Sequence, residues 1–67
     1  AIMIWQPRGK DATGADTHVG TNMRGSFVIA SHKVGGINLY RLDGAEKTLV
    51  SIGFTSVKAA QEYVDRL

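Results

Sequence analysis

The clearest hydrophobic pattern lies in the last third of the chain. Residues 47–54 contain several β-branched side chains and end in a largely apolar stretch, which is typical of a strand. Ser56 follows two residues later and is well suited to cap the N-terminus of a helix. Apolar residues then recur at spacings of three and four, which predicts an amphipathic helix that buries Val57, Ala60, Tyr63, Val64 and Leu67.

Two further strands are predicted upstream, over residues 26–33 and 37–42. Gly35-Gly36 between them is a hairpin signal, and Asp43-Gly44 is the next turn signal. Residues 26–67 therefore predict a β-β-β-α domain. Residues 1–7 form a short apolar segment that ends at Pro7 and is a possible extra strand. Residues 8–25 contain four glycines and no hydrophobic period, so we expect a mobile loop there.

The predicted fold class is α+β, with a small antiparallel sheet of three or four strands packed on one C-terminal helix. Side chains alternate between the two faces of a strand, so the turns decide which residues share a face. A two-residue turn at Gly35-Gly36 predicts a helix-covered face of Val28, Ala30, His32, Ile37, Leu39, Arg41, Val50, Ile52 and Phe54. The opposite face would then hold Phe27, Ile29, Ser31, Lys33, Asn38, Tyr40, Leu42, Lys47, Leu49 and Ser51.

That second face carries large apolar side chains and has no helix left to cover it. Extended apolar patches are rare on soluble monomers, so we expect another element to bury it. Three candidates could cover this face: the apolar segment at residues 2–5 folding back, a second copy of the chain, or a different protein.

Composition narrows the classes of function. A chain of 67 residues forms one domain at most, and oligomerisation is a common source of stability at this size. The chain has no cysteine and two histidines, so we expect no disulfide, metal or cofactor. The apolar run at the N-terminus is too short for a membrane span, which predicts a soluble, cytoplasmic protein with no membrane partner.

We find no catalytic constellation. Glu62 and Asp65 lie on the exposed side of the predicted helix without a partner acid, and His18 and His32 are isolated from one another. The sequence therefore predicts a non-enzymatic binding module with no evident small-molecule substrate. The net charge is only +2, and the basic residues are spread singly along the chain.

Residues 24–65 resemble the AP2-type domains and the arm-binding domains of phage integrases. The resemblance rests on Arg24-Gly25, on the strand 36–42, and on the run 49–56 that leads into Ala59-Ala60. Domains of this type bind duplex DNA with the exposed face of a three-stranded sheet laid in the major groove. The resemblance thus implies duplex DNA as a partner and the sheet face opposite the helix as the contact surface.

Two sets of candidate site residues follow. A nucleic-acid site would use the second sheet face together with the basic Pro7-Arg8-Gly9-Lys10 arm; its residues are Arg8, Lys10, Lys33, Asn38, Tyr40 and Lys47. A protein-interaction module, as a homodimer or with a protein partner, would use large apolar side chains; its residues are Trp5, Phe27, Ile29, Tyr40 and Leu49.

Overall fold

The computed structural model describes residues 3–23 and 25–67. Five strands and one helix follow one another along the chain: β1 (Ile4–Lys10), β2 (Asp16–Asn22), β3 (Gly25–His32), β4 (Gly36–Asp43), β5 (Glu46–Phe54) and α1 (Val57–Asp65). The strands form one antiparallel meander in the order β1-β2-β3-β4-β5. Ala1, Ile2 and Arg24 lie outside the described residues, and with them the parts of our predictions that concern these three positions.

The prediction of three or four strands is wrong, because the sheet has five. The missed strand is β2, which lies inside the stretch predicted to be a mobile loop. Its outward positions are the β-branched residues Thr17, Val19 and Thr21, but its inward positions include His18 and Gly20. With a glycine where a strand normally shows an apolar side chain, β2 has no visible hydrophobic alternation.

The core lies between the sheet and α1. Its buried members are Met3, Phe27, Ile29, Leu39, Ala60 and Val64, and Trp5, Ile37, Phe54 and Val57 pack around them. The predicted cap is confirmed: the Ser56 hydroxyl accepts a hydrogen bond from the Ala59 N–H at 3.0 Å. The rings of Phe54 and Tyr63 meet edge to face, with centroids 5.4 Å apart, and hold the last turn of the helix against the end of β5.

The predicted turn between β3 and β4 is wrong, and the error exchanges the faces of β3. His32 pairs with Gly36, so the connection is the three residues Lys33, Val34 and Gly35 rather than Gly35-Gly36. An odd loop length reverses the parity of the pairing. Ile29 therefore lies opposite Leu39 on the helix side. Phe27 also packs into this core, whereas Val28, Ala30 and His32 face the other way.

Two irregularities shape the edge strand β5. Tyr40 lies opposite Leu49, but Leu39 lies opposite Ser51 and Ile37 opposite Phe54, so β5 contains two extra residues. Without the first of these bulges, Leu39 would lie opposite Val50. Val50 and Ile52, predicted to be covered, are exposed. Bulges bend an edge strand and interrupt its free hydrogen-bonding groups, which protects it from pairing with another chain.

The twist of the sheet positions its corners. A twisted sheet is saddle-shaped, so one pair of diagonal corners bends toward each face. The start of β1 bends toward the helix, where Met3 and Trp5 join the core. The opposite diagonal joins the β1–β2 turn to the start of β5. The pKa of Asp11 in that turn is lowered chiefly by the hydrogen bond from the Thr13 hydroxyl, and least by the positive charge of Lys47 on β5. The face opposite the helix is therefore concave along this diagonal.

Candidate nucleic-acid interface

We define the open face as the side of the sheet opposite α1. Arg8 belongs to this face because it lines a groove together with Ile4 and Gln6. The cross-strand pairing assigns the other residues, and the full set is Ile4, Gln6, Arg8, Thr17, Val19, Thr21, Ser26, Val28, Ala30, His32, Asn38, Tyr40, Leu42, Lys47 and Leu49. The curvature of the twisted sheet shields the centre of the open face, since Val28 and Ala30 are buried although no helix lies over them. The exposed part of the face is consequently a ring of polar and basic groups with apolar side chains at both edges.

The carboxylates of the strands lie on one face of the sheet, the helix side, which also carries the cations Lys10 and Arg41. The acidic residues in strands are Asp16, Asp43 and Glu46, and the pairing places all three on the helix side. Glu62 and Asp65 are exposed on α1, and Asp11 lies in the β1–β2 turn. The open face thus carries Arg8 and Lys47 on its strands and no strand carboxylate, a distribution that favours a negatively charged ligand.

A bulge in β1 separates the two basic residues of the N-terminal arm. The register shifts between Pro7 and Gly9, and Gly9 adopts a φ of 74°, a conformation that glycine tolerates best. Arg8 points to the open face, whereas Lys10 lies opposite Asp16 on the helix side, with its ammonium 3.5 Å from that carboxylate. Lys10 was predicted as a nucleic-acid contact, and the bulge turns it away from the surface that Arg8 shares.

A shallow groove runs beside Arg8 along the β1–β2 edge. It has a volume of about 300 Å³ and is lined by Ile4, Gln6, Arg8, Val19 and Thr21. The groove combines one cation, two polar side chains and an apolar floor. Its chemistry suits a phosphate on the guanidinium group and an adjacent sugar on the aliphatic side chains.

Lys47 forms the basic corner at the other edge. Its ammonium lies 4.7 Å from the centre of the Tyr40 ring, which holds the charge on the open face through a cation–π contact. Leu49 lies directly opposite Tyr40 on β5, and the sequence analysis had placed the two on the same face. Arg8 and Lys47 therefore occupy opposite edges of the same concave surface.

The other predicted nucleic-acid residues lie near the end of the sheet. Lys33 is exposed in the β3–β4 turn, next to His32 at the end of β3. His32 was predicted to lie on the covered face, and the parity change places it on the open one. Asn38 lies on β4 beside Ala30 of β3. The structure thus brings Arg8, Asn38, Tyr40 and Lys47 onto one surface, puts Lys33 at its rim and excludes Lys10.

The set predicted for protein interaction is divided by the core. Phe27 and Ile29 are buried under α1, and Trp5 packs against the same cluster, so none of the three can anchor a partner. Tyr40 and Leu49 remain on the open face. The apolar segment at residues 2–5 was one candidate to cover the open face. Its residues Met3 and Trp5 lie on the helix side instead, and Ile4 is exposed.

The β1–β2 turn is held by a residue that the sequence analysis missed. The Asp11 carboxylate accepts hydrogen bonds from the Thr13 hydroxyl at 2.6 Å, the Thr13 N–H at 2.8 Å and the Ala15 N–H at 3.1 Å. The signal was present in the run Asp-Ala-Thr-Gly, because aspartate followed by small polar residues and glycine is typical of such turns. Chiefly the Thr13 hydroxyl lowers the pKa of Asp11 below its ordinary value of 3.8.

This turn gives a pH-dependent contribution to stability. The pKa of Asp11 is lower in the folded than in the unfolded chain, so its contribution is complete above the unfolded pKa and is lost as the pH falls through the folded one. We expect urea midpoints of the parent and Asp11→Asn to differ most near neutral pH and to converge in acid. A difference that stayed constant from about pH 6 down to about pH 2 would contradict this assignment.

Within residues 3–23 and 25–67, no three His, Cys, Asp or Glu side chains come together to hold a metal ion. The same ranges contain no helix of the length and apolarity needed to cross a membrane. No protein-family model matches the chain, and neither a curated protein nor a solved structure is similar to it.

Proposed function

We propose that this chain is a non-enzymatic module that binds duplex DNA through its open face. The observation that carries the proposal is the position of the strand carboxylates relative to Arg8 and Lys47. Arg8 and Lys47 project from opposite edges of the open face, while every described strand carboxylate lies on the helix side. A polyanion is the partner that such a surface attracts, since phosphate contacts supply most of the affinity in DNA binding.

The same observation argues against the open face as a symmetric homodimer interface. In a two-fold contact, the open face of one copy would meet the open face of the other. Arg8 and Lys47 of both copies would then be desolvated opposite a surface without a strand carboxylate, at a considerable electrostatic cost. The large aromatic and aliphatic anchors once assigned to this face, Phe27 and Ile29, are in the core. A DNA partner offers a phosphate to each cation, whereas the described strands on the open face of a second copy offer no carboxylate.

The width of the sheet is compatible with a groove-based contact. Strands lie about 4.8 Å apart, so the outer axes of three neighbouring strands are roughly 10 Å apart, and the B-DNA major groove is about 12 Å wide. If β3, β4 and β5 enter the groove, β1 lies about 10 Å beyond β3, over the flanking backbone. Arg8 would then contact a phosphate on one side and Lys47 a phosphate on the other. The resemblance of residues 24–65 to sheet-based DNA-binding domains supports the same orientation.

Arg8→Ala and Lys47→Ala test the proposal directly. Each should weaken binding to a duplex and reduce the slope of log K against log[salt] by about one, because each removes one phosphate contact. The matched control is Lys10→Ala, which removes the same charge from the same strand but on the opposite face. Binding is measured by fluorescence anisotropy with a labelled duplex at several salt concentrations, and circular dichroism confirms that each variant is folded.

Equal effects of Arg8→Ala and Lys10→Ala would show that only net charge matters and that the open face is not the contact surface. Absence of duplex binding at low salt and tens of micromolar protein would remove the proposal. An acidic protein partner would then be the remaining ligand for the same face, and its binding would lose affinity with the same two substitutions.

A further inference from the structure

We infer that Thr17 positions Arg8 for its phosphate contact by holding the bulge in β1. The inference rests on the proposed function and deepens it, because it assigns the placement of a DNA-binding cation to a neutral side chain on the neighbouring strand. Thr17 is a positioning residue, since in this role it acts on the duplex through Arg8.

Arg8 is the extra residue of the bulge. Pro7 of β1 lies opposite His18 of β2. The next pair along the two strands is Gly9 and Thr17, so the pairing passes over Arg8. The extra residue of a bulge is left out of the hydrogen-bonded ladder, and β1 is an outer strand of the sheet. The direction of the Arg8 side chain therefore depends on the backbone at the two residues that flank it.

The two flanking residues differ in backbone freedom. The ring of Pro7 fixes its own φ at about −65°. Gly9 has a φ of 74° and belongs to the residue type with the widest choice of backbone conformation. A Cβ atom on Gly9 would meet no other atom within 4 Å, so the space beside it is open. Neither packing nor its own preference thus holds Gly9 in the conformation that the bulge requires.

A hydrogen bond from Thr17 supplies the missing restraint. Its hydroxyl Oγ1 donates to the Gly9 carbonyl oxygen at 3.0 Å. The hydroxyl is itself well placed, because threonine is restricted at χ1 and β2 pairs regularly with β3 on its other side. The ion pair of Lys10 and Asp16 also lies beside the bulge, but both side chains are more than half exposed, and such pairs contribute little. The Thr17 hydroxyl is therefore the main contact that holds the bulge.

The first test measures the order of Arg8 in the free protein. Thr17→Val removes the hydroxyl and keeps the branched shape of the side chain. Amide ¹⁵N relaxation should show a lower order parameter for Arg8 in Thr17→Val than in the parent, whereas Thr17→Ser, which keeps the hydroxyl, should resemble the parent. Thr48→Val is the matched control, because it removes a hydroxyl from an exposed strand threonine on the helix side. Circular dichroism confirms that each variant is folded.

The second test measures binding of the labelled duplex at several salt concentrations. Thr17→Val should reduce the slope of log K against log[salt] by up to about one, as Arg8→Ala does, although it removes no charge. Thr17→Ser and Thr48→Val should keep the slope of the parent. In an Arg8→Ala background, Thr17→Val should have no further effect on duplex binding. A Thr17 hydroxyl that contacted a phosphate directly would weaken binding in both backgrounds, and this result would overturn the positioning role.

The outcomes separate this inference from the proposed function. An Arg8 amide that is equally ordered in the parent and in Thr17→Val overturns the inference, and so does an unchanged salt slope. Both results leave the proposed function intact, because that function depends on Arg8 itself. A parent that binds no duplex at low salt removes the proposed function, and the relaxation measurement then decides alone whether Thr17 holds Arg8.

Discussion

Leu39→Ala should unfold this domain or bring it close to unfolding. Leu39 has 0% exposure and lies opposite the equally buried Ile29, directly under the helix. Truncating a buried leucine costs about 2–5 kcal/mol through lost transfer energy and the cavity left behind. At typical stabilities per residue, a domain of 67 residues is stable by only about 3–10 kcal/mol. We therefore expect the melting temperature to fall by at least about 10 °C.

Leu49→Ala is the matched control for this change. It removes the same atoms from a side chain that is 52% exposed on the open face. Substitutions at such positions usually change stability by no more than about 0.5 kcal/mol. Thermal and urea unfolding followed by circular dichroism compare the two variants. Equal losses of stability would mean that the assignment of Leu39 to the core and Leu49 to the open face is wrong.

The C-terminal half of the fold was predictable because its signals are local. The cap at Ser56 and the apolar stripe of α1 depend on a few consecutive residues. The cap is present and the stripe buries Ala60 and Val64, but Tyr63 and Leu67, which were predicted to be buried with them, are exposed. Tyr40, Lys47 and Leu49 were also assigned to one face correctly. Either plausible length of the β4–β5 turn gives the same parity there, so the assignment did not depend on the turn.

The N-terminal half was not predictable from hydrophobicity. The positions of β2 that face the helix side include His18 and Gly20. The strand therefore lacks the apolar alternation on which a prediction depends. The information that β2 is a strand resides in its partners, because Gly20 lies opposite both Trp5 and Phe27. Contacts between strands are not visible in the composition of either strand alone.

The candidate site was predicted in part, for a related reason. One residue in the β3–β4 loop decided whether Phe27 and Ile29 face the helix or solvent, and two adjacent glycines allowed either turn. Similarly, the bulge after Pro7 decided that Arg8 and Lys10 face opposite sides. In both cases one residue more or less shifts the pairing of a strand. Such a shift moves its side chains to the other face of the sheet and leaves the order of the strands unchanged.

Gly20→Ala should be destabilising, although the same substitution in an unobstructed strand is favourable. Alanine is normally preferred over glycine in a strand by roughly 0.5–1 kcal/mol. A Cβ atom on Gly20, however, would lie 2.5 Å from the Met3 sulfur and 2.8 Å from two atoms of the Trp5 ring. The Met3 side chain can move, but the Trp5 ring packs against the core and cannot shift without disturbing it. We expect a loss of about 1–3 kcal/mol from overpacking, and a larger loss for Gly20→Val.

The sign of the effect and its dependence on Trp5 provide the measurement. In a Trp5→Leu background the ring is absent, so adding Gly20→Ala should cost less than it does in the parent, and the double-mutant cycle should show a favourable coupling. Thr21→Ala, on the same strand but facing the open side, serves as the control for strand propensity. If Gly20→Ala raised the urea midpoint of the parent, β2 would not pack against Trp5, and the placement of β2 in the sheet would be wrong. A loss relieved by Trp5→Leu would instead establish that the glycine in β2 makes room for the tryptophan, which is how a strand without apolar alternation belongs to this sheet.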